Sequence, residues 1–132
     1  AGIRTRDYYK NFQKKANIIK DNLLSFLIKA KKNNKKVVAY GAAAKGNTLL
    51  NYAGIRPDLV NYVVDRNPNK QNKFMPGSRI PIRDESFLKK DNPDYILILP
   101  WNLKNEIIKQ IVSNTNFAGK FVIAIPKLEI IE

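Results

Sequence analysis

Four short runs of almost continuously apolar residues constrain the fold of this chain more than any other feature. They occupy residues 37–40, 60–64, 96–99 and 121–125, and stretches with helical patterning separate them. Apolar runs of this kind are typical of parallel β-strands that are covered on both faces of a sheet. Because strands and helices alternate, the connections are expected to be right-handed crossovers. The sequence therefore predicts an α/β fold with a Rossmann-like, doubly wound and mostly parallel sheet.

Weaker signals complete the predicted sheet and the helices that cover it. The further elements are helices at about residues 45–53, 84–90 and 103–112, a weak strand at 79–82 and an edge strand at 128–131. Asp84 is a suitable N-cap for the second of these helices, because its carboxylate can accept a hydrogen bond from a backbone N–H in the first turn.

A long amphipathic helix is predicted before the first strand, from Asp7 to about Asn33. Its apolar residues follow a 4-3-4-3 spacing, which places them on one face of a helix. This stripe consists of Phe12, Ala16, Ile19, Leu23, Phe26, Leu27 and Ala30. Asp7 is the predicted N-cap, and Asn33 with Asn34 ends the helix. The helix either packs across the sheet or connects to another domain, and both alternatives stay open. We divide the chain into a helix at 1–35 and one domain at 36–132.

The amino-acid composition excludes several kinds of catalytic and metal-binding site. The 132 residues include no Cys and no His, which excludes disulfides, thiol nucleophiles, Cys/His zinc sites and imidazole bases from this chain. The longest apolar runs are far shorter than the ~20 residues that span a bilayer, and no signal-peptide pattern opens the sequence. We expect a cytoplasmic protein without a membrane partner, and we predict no catalytic residue and no metal ligand in it.

The formal net charge of +13 makes a basic nucleic-acid-binding module one alternative. The charge is uneven, because residues 1–36 contain 11 Lys+Arg and two acids, whereas residues 37–132 contain 13 Lys+Arg and nine acids. Nucleic-acid-binding surfaces interleave aromatic with basic residues, but the aromatic residues of this basic segment are few: Tyr8, Tyr9 and Phe12 near its start, and Phe26. We favour a solvated helix face, and nucleic acid is not expected as a partner.

The loop after the first apolar run is the first candidate ligand site, because open α/β sheets bind ligands at the carboxyl ends of their strands. It combines glycines, small residues and one lysine. Glycine permits a tight turn, and small side chains let backbone N–H groups approach a phosphate at a helix N-terminus. The candidate binding residues are Gly41, Ala42, Ala43, Lys45, Gly46, Asn47 and Thr48. The loop matches neither G-x-G-x-x-G nor the P-loop, so a simple packing turn is an alternative.

Two further loops add candidate binding residues. Asp65 lies 24 residues after Gly41, close to where Rossmann folds place a carboxylate that binds ribose, and Arg66 follows it. This acid makes a nicotinamide- or other nucleotide-binding Rossmann domain a second alternative, although the second glycine of that fingerprint is missing. Trp101 and Asn102 follow the third apolar run. They either flank a sugar or base, or serve as a packing residue and as the N-cap of the next helix.

Together these loops resemble the C-terminal domain of the sugar C-methyltransferases, which methylate nucleotide-linked deoxysugars. The matching segments read VAYGAAAKGNTLLN from Val38, VDRNP from Val64 with Lys70 and Gln71, PGS from Pro76 with IPI from Ile80, and LPWN from Leu99. Four motifs in this order are far more specific than any one of them.

The resemblance implies a division of labour within a longer enzyme. In that family a zinc-binding N-terminal region and a middle domain that binds S-adenosylmethionine precede this domain, which helps to form the nucleotide-sugar site. S-adenosylmethionine and zinc are therefore expected in the preceding part, and this domain alone is expected to be inactive. Its expected partners are a nucleotide-activated sugar and the preceding S-adenosylmethionine-binding domain of the same chain. Residues 36–132 would then be a nucleotide-sugar-binding domain.

The same resemblance gives the candidate residues roles. The loop at 41–48 would hold the diphosphate, with Lys45 adding positive charge. Asp65 would accept a hydrogen bond from a hydroxyl group, with Arg66 beside it. Trp101 and Asn102 would flank the sugar or the base.

Overall fold

The computed structural model describes the backbone of residues 2–131 and the side chains of residues 10–131. In chain order, the elements are α1 (Gly2–Lys32), β1 (Val37–Tyr40), α2 (Ala44–Tyr52), β2 (Val63–Val64), β3 (Ile82–Arg83), α3 (Ser86–Asp91), β4 (Tyr95–Ile98), a 3-10 turn (Trp101–Leu103), α4 (Lys104–Asn114), β5 (Lys120–Ile123) and β6 (Glu129–Ile131).

The strands of the described chain form one sheet in the order β3-β2-β1-β4-β5-β6. Strands β1 to β5 are parallel, and β6 runs antiparallel to β5 at the edge. Ala39 of β1 pairs with Val63 on one side and with Leu97 on the other, so β1 lies between β2 and β4. The chain reverses its direction of winding between β1 and β4, as in Rossmann folds. The predicted fold class is confirmed, including the long N-terminal helix.

Helices cover both faces of this sheet. On one face, Leu23 and Leu27 of α1 and Leu50 of α2 are completely buried against the strands. On the other face, α3 and α4 contribute Leu88 and Ile111 to a second core. All four residues of β1 are buried, because side chains on both faces of the strand meet a helical layer. This explains why the strands read as continuous apolar runs.

Helix α1 is much longer than the sheet that it covers. Its 31 residues span about 46 Å at the usual rise of an α-helix, whereas a four-residue strand spans about 13 Å. The second half of α1 packs on the sheet, but Phe12 in the first half is 60% exposed. Of the two alternatives left open for this helix, packing across the sheet is therefore observed for its second half, whereas its first half does not pack on the sheet. Neither α1 nor another helix within residues 2–131 is long and apolar enough to cross a membrane.

The boundaries of three elements differ from the sequence prediction. α1 begins at Gly2, so Asp7 lies inside the helix, and the side chain of this predicted N-cap is outside the described residues. β2 comprises only two residues because its outer neighbour β3 offers two for pairing. β3 begins at Ile82 because residues 75–80 form a turn, in which Arg79 adopts a φ of 63°. The N-cap of α3 is Glu85 and not the predicted Asp84, which lies one residue earlier; Asp84 Oδ1 still accepts a hydrogen bond from the Ser86 N–H at 3.0 Å.

A network of polar side chains stabilises the amino edge of the sheet. The Tyr62 hydroxyl donates to Asp91 Oδ2 at 2.8 Å, and Lys36 Nζ lies 2.6 Å from Asp91 Oδ1. The Lys36 N–H donates to Asp94 Oδ2 at 2.7 Å. Burial, followed by the contact with Asp91, raises the pKa of the Tyr62 phenol well above its ordinary value. The network ties the end of α3 to the beginnings of β1 and β4.

Candidate functional site

Rossmann folds bind ligands in a crevice at the carboxyl edge of the sheet, where the direction of winding reverses; in this chain the loops that follow β1 and β4 flank that position. Gly41 brings these two loops into contact. It adopts a φ of +100°, and a Cβ atom added there would lie 2.6 Å from Pro100 Cδ. Its N–H donates to the Val64 carbonyl at 2.8 Å, which also fixes the turn against β2. A side chain at this position would strain the backbone and separate the loops.

The N-terminus of α2 opens into this crevice without a side-chain cap. Ala43 is the N-cap residue, its backbone is extended, and no side chain hydrogen-bonds to the first turn. Ala43, Ala44 and Lys45 are exposed. The N–H groups of a first helical turn have no partner within the helix, and the helix dipole makes this end positive. The arrangement is suited to binding an anion through the backbone.

Asp65 joins the first loop to the second. Its Oδ2 accepts the Ala42 N–H and its Oδ1 accepts the Asn67 N–H, each at 2.8 Å. Ala42 therefore uses its N–H within the protein, and the backbone donors that face the crevice begin at Ala43. A carboxylate has about four lone-pair positions, so Asp65 retains acceptor capacity for a ligand hydroxyl.

Two residues of the second loop hold the first loop in place. Lys70 Nζ donates to the Ala42 carbonyl at 3.0 Å, and Gln71 Nε2 donates to the Asp65 carbonyl at 2.9 Å. Both belong to the sequence motif after Asn67. Their side chains turn inward to the backbone, which gives the motif a structural reason.

Gly46 and its neighbours on α2 have different surroundings. A Cβ atom on Gly46 would lie 2.8 Å from Leu99 Cβ, so this glycine lets α2 pack closely on the end of β4. Asn47 Oδ1 is buried and has no hydrogen-bond partner in the described structure. Thr48 is exposed, and its hydroxyl donates to the Ala44 carbonyl at 3.0 Å. Gly46 therefore faces the sheet, whereas Lys45 and Thr48 face outward.

Arg66 lies on the α3 and α4 side of the crevice. Its Nε is 3.4 Å from Glu85 Oε2. With the Gln110 amide oriented by its hydrogen-bond partners, the amide oxygen accepts from Arg66 Nε at 2.8 Å and from the Tyr40 hydroxyl at 3.2 Å. Burial, and then the Glu85 carboxylate, raises the pKa of Tyr40. Glu85 Oε1 is buried without a partner in the described structure.

The sequence did not point to Tyr40, Glu85 or Gln110 as neighbours of Arg66. Tyr40 ends an apolar run. Glu85 directly precedes α3, and Gln110 lies within α4. Only the packing of α3 and α4 on the sheet brings them together, so no local pattern marks the cluster.

Trp101 and Asn102 form the opposite rim of the crevice. Both are exposed, and the Trp101 side chain is not packed into the core. The predicted N-cap role of Asn102 is wrong. Asn102 lies inside the 3-10 turn, the residue before α4 is Leu103, and no side chain caps that helix. Because Gly41 contacts Pro100 and Ala42 contacts Asp65, the three predicted loops do meet at one edge.

Comparisons with known proteins agree with this architecture. Residues 1–126 match the family described as C-methyltransferase C-terminal domain. "C-methyltransferase NovU" of Streptomyces niveus is 31% identical over 130 residues, which are 98% of this chain and 31% of that protein. The chain thus spans about a third of the length of this relative. UDP-D-quinovosamine 4-dehydrogenase from Vibrio fischeri has a similar structure, with a TM-score of 0.52 and 19% identity over 74% of this chain and 93% of its own.

The dehydrogenase shares the fold. Because its sequence identity is low, the comparison shows the fold alone. The family match, by contrast, covers nearly the whole sequence, including the four motifs on the loops. The resemblance inferred from those motifs is confirmed. The chain belongs to the family of C-methyltransferase C-terminal domains.

Proposed function

We propose that this chain is the substrate-binding part of a cytoplasmic, S-adenosylmethionine-dependent C-methyltransferase that acts on a nucleotide-linked sugar. The observation that carries the proposal is the uncapped, exposed N-terminus of α2 in the crevice at the reversal point of the sheet. Membership of the C-methyltransferase family supports it. S-adenosylmethionine, zinc and the methyl-transfer step belong to parts of the enzyme outside this chain.

The diphosphate is bound by the backbone of Ala43, Ala44 and Lys45. These N–H groups can donate hydrogen bonds to an anion without rearrangement, and the Lys45 side chain adds positive charge. Gly41, Ala42 and Gly46 shape this site through packing, because their backbones set the turn and the helix position.

The remaining candidate residues bind the two ends of the ligand. Asp65 accepts a hydrogen bond from a ribose hydroxyl at the end of β2, as the corresponding acid does in Rossmann folds. Arg66 lies beside it and remains 58% exposed. Trp101 and Asn102 contact the ligand from the rim formed by the loop after β4, and Asn47 and Thr48 follow the phosphate site along α2.

The test removes one backbone donor and leaves the helix intact. Pro at Ala44, the first helical position, has no N–H and fits the helix start, and the extended backbone of Ala43 (φ −93°, ψ 164°) accepts a following proline. Ala44→Pro is expected to weaken binding of thymidine or uridine diphosphate about tenfold or more, since hydrogen bonds to charged groups contribute roughly 1.5–3 kcal/mol.

Isothermal titration of the 132-residue chain measures this effect, with Lys45→Ala as the matched control at the next position. Losing one exposed charge is expected to weaken binding by about fivefold at most. S-adenosylmethionine is expected to give no binding to this chain. The proposal is contradicted if folded Ala44→Pro keeps the wild-type affinity, or if S-adenosylmethionine binds and the nucleoside diphosphates do not.

A further inference from the structure

A second concave surface lies beside the N-terminus of α2. It is a groove of about 780 Å³ between the first half of α1 and α2, and Ile125 and Pro126 also line it. Its lining is mainly apolar, including Phe12, Ala16 and Tyr52. Small-molecule sites have volumes of about 300–1,000 Å³ and are mostly apolar with a few polar groups. The groove has the size and character of a ligand site.

The length of α1 places this groove at the carboxyl edge of the sheet. α1 ends just before β1, so its C-terminus lies at the amino edge, whereas its first half lines the groove together with Lys45 at the start of α2. Ile125 and Pro126, which follow the carboxyl end of β5, contact the same groove. The first half of α1 is therefore a wall of this groove, which reaches the carboxyl edge of the sheet.

The groove is continuous with the proposed diphosphate site. Lys45 and Thr48 line it, and both belong to the first turns of α2. Lys15 of α1 adds a second positive charge at the rim. A ligand whose phosphates bind the N-terminus of α2 has its next group within one helical turn of the groove.

The order of the strands decides which end of the ligand reaches it. Asp65 follows β2, on one side of β1, whereas Ile125 follows β5, on the other side beyond β4. A nucleotide sugar that places its ribose at Asp65 and its diphosphate at α2 therefore directs its sugar toward β5.

Hydrogen bonds hold the aromatic wall of the groove in place. The Tyr52 hydroxyl donates to Asn17 Oδ1 and accepts from Gln13 Nε2, both at 2.6 Å. Tyr52 is 40% exposed, and Phe12 presents a second ring. Aromatic faces suit the C–H face of a pyranose ring, and the contact requires no charged group on the sugar.

We infer that the groove between α1 and α2 binds the apolar face of the sugar in the nucleotide-sugar substrate. This inference rests on the proposed function, because the diphosphate anchors the ligand. It makes the first half of α1 part of the substrate site, and it explains why apolar side chains there are left exposed.

The test fills the groove and measures the contribution of the sugar to affinity. In the full-length protein, thymidine diphosphate-rhamnose is expected to bind at least fivefold more tightly than thymidine diphosphate by isothermal titration. Ala16→Trp places a large side chain in the groove and is expected to abolish this difference while the affinity for thymidine diphosphate stays unchanged. Ser25→Trp, at an exposed position of the same helix, is expected to preserve both affinities. Ala16→Leu is the smaller variant to use if the Trp variant does not fold.

Each alternative result has a defined meaning. If the wild-type protein binds both ligands equally, or if folded Ala16→Trp and Ala16→Leu keep the difference, the inference is overturned and the groove is a surface for protein contacts. If neither ligand binds to the wild-type protein, the proposed function fails and the inference fails with it.

Discussion

Gly41 and Gly46 hold the first loop and α2 against the end of β4. A Cβ on Gly41 would meet Pro100, and a Cβ on Gly46 would meet Leu99. The two glycines therefore work by close packing, and the proposed donors for a ligand belong to the exposed residues between them. Sequence reasoning placed all of these residues in one candidate site; in the structure Gly41 and Gly46 are closely packed, whereas Ala43, Ala44 and Lys45 are exposed.

Gly46→Ala is expected to destabilise the protein by about 1–3 kcal/mol, the usual cost of overpacking a well-packed contact. Its Cβ would lie 2.8 Å from Leu99 Cβ, and Leu99 directly follows β4, is buried and cannot move freely. Urea unfolding followed by circular dichroism measures the change. Thr48→Ala, at an exposed position of the same helix, is the control and should alter stability by less than about 0.5 kcal/mol. Equal stability of Gly46→Ala and the wild-type protein would show that α2 does not need this close approach.

Asp65 shows which features of a site residue can be predicted from sequence spacing. The interval from Gly41 placed this acid at the correct edge of the sheet, because a βαβ unit has a nearly fixed length. The spacing did not reveal that both oxygens bind backbone N–H groups of two loops. Such contacts depend on loop conformation, which distant residues such as Lys70 help to set.

Helices α1 and α3 depend on tertiary contacts that lie outside the crevice. α1 covers the sheet with its second half and borders the groove beside α2 with its first. α3 has only six residues, too few to be stable alone. Its end is held by Asp91, which contacts both Tyr62 and Lys36. A short helix here persists because these side chains attach it to the sheet.

The Tyr62 phenol gives this attachment a pH dependence. Its pKa is raised above 10 in the folded state and is about 10 in the unfolded state, so the folded protein binds the proton more tightly. The stabilisation is fully present below about pH 10 and is lost as the pH rises through the folded pKa, by up to about 1.4 kcal/mol per pH unit. Tyr62→Phe removes this contribution.

Urea unfolding at pH 8 and near pH 11 compares the two proteins. At pH 8, Tyr62→Phe is expected to be less stable by about 1 kcal/mol, the value of one hydrogen bond. At the higher pH the difference in the free energy of unfolding between the two proteins should narrow, because only the wild-type protein has a phenol proton to lose at residue 62. A difference that stays constant between the two pH values would contradict the role given to Tyr62.

The element boundaries show which part of the fold local sequence determines. Long apolar runs and helical stripes located most elements to within about two residues. The outer strands differ, because β2 and β3 are short where their neighbours offer few pairing partners, and the turn at residues 75–80 is set by a hydrogen bond between Met75 and Ile80. Pairing of this kind involves the whole sheet and is not visible in one segment.

For the whole molecule, the strand order explains why one edge collects the motifs. The loops after β1, β2 and β4 meet because these strands are parallel neighbours. The alternation of strands and helices predicted this meeting, whereas the groove beside α2 was not predicted, since it depends on how α1 crosses the sheet. Two predictions remain untested: the division of the chain after residue 35, and the expectation that nucleic acid is not a partner. The positive charge of the first 36 residues belongs largely to α1.

The central claim is that the backbone at the start of α2 binds the diphosphate of a nucleotide sugar. Amide chemical-shift mapping by NMR during titration with thymidine diphosphate tests it most directly, because each N–H is observed separately. We expect the largest and saturable shifts at Ala43, Ala44 and Lys45, with smaller ones at Asp65 and Trp101. Saturable shifts confined to other parts of the chain, with Ala43 to Lys45 unchanged, would contradict the claim and leave residues 41–48 as a packing turn.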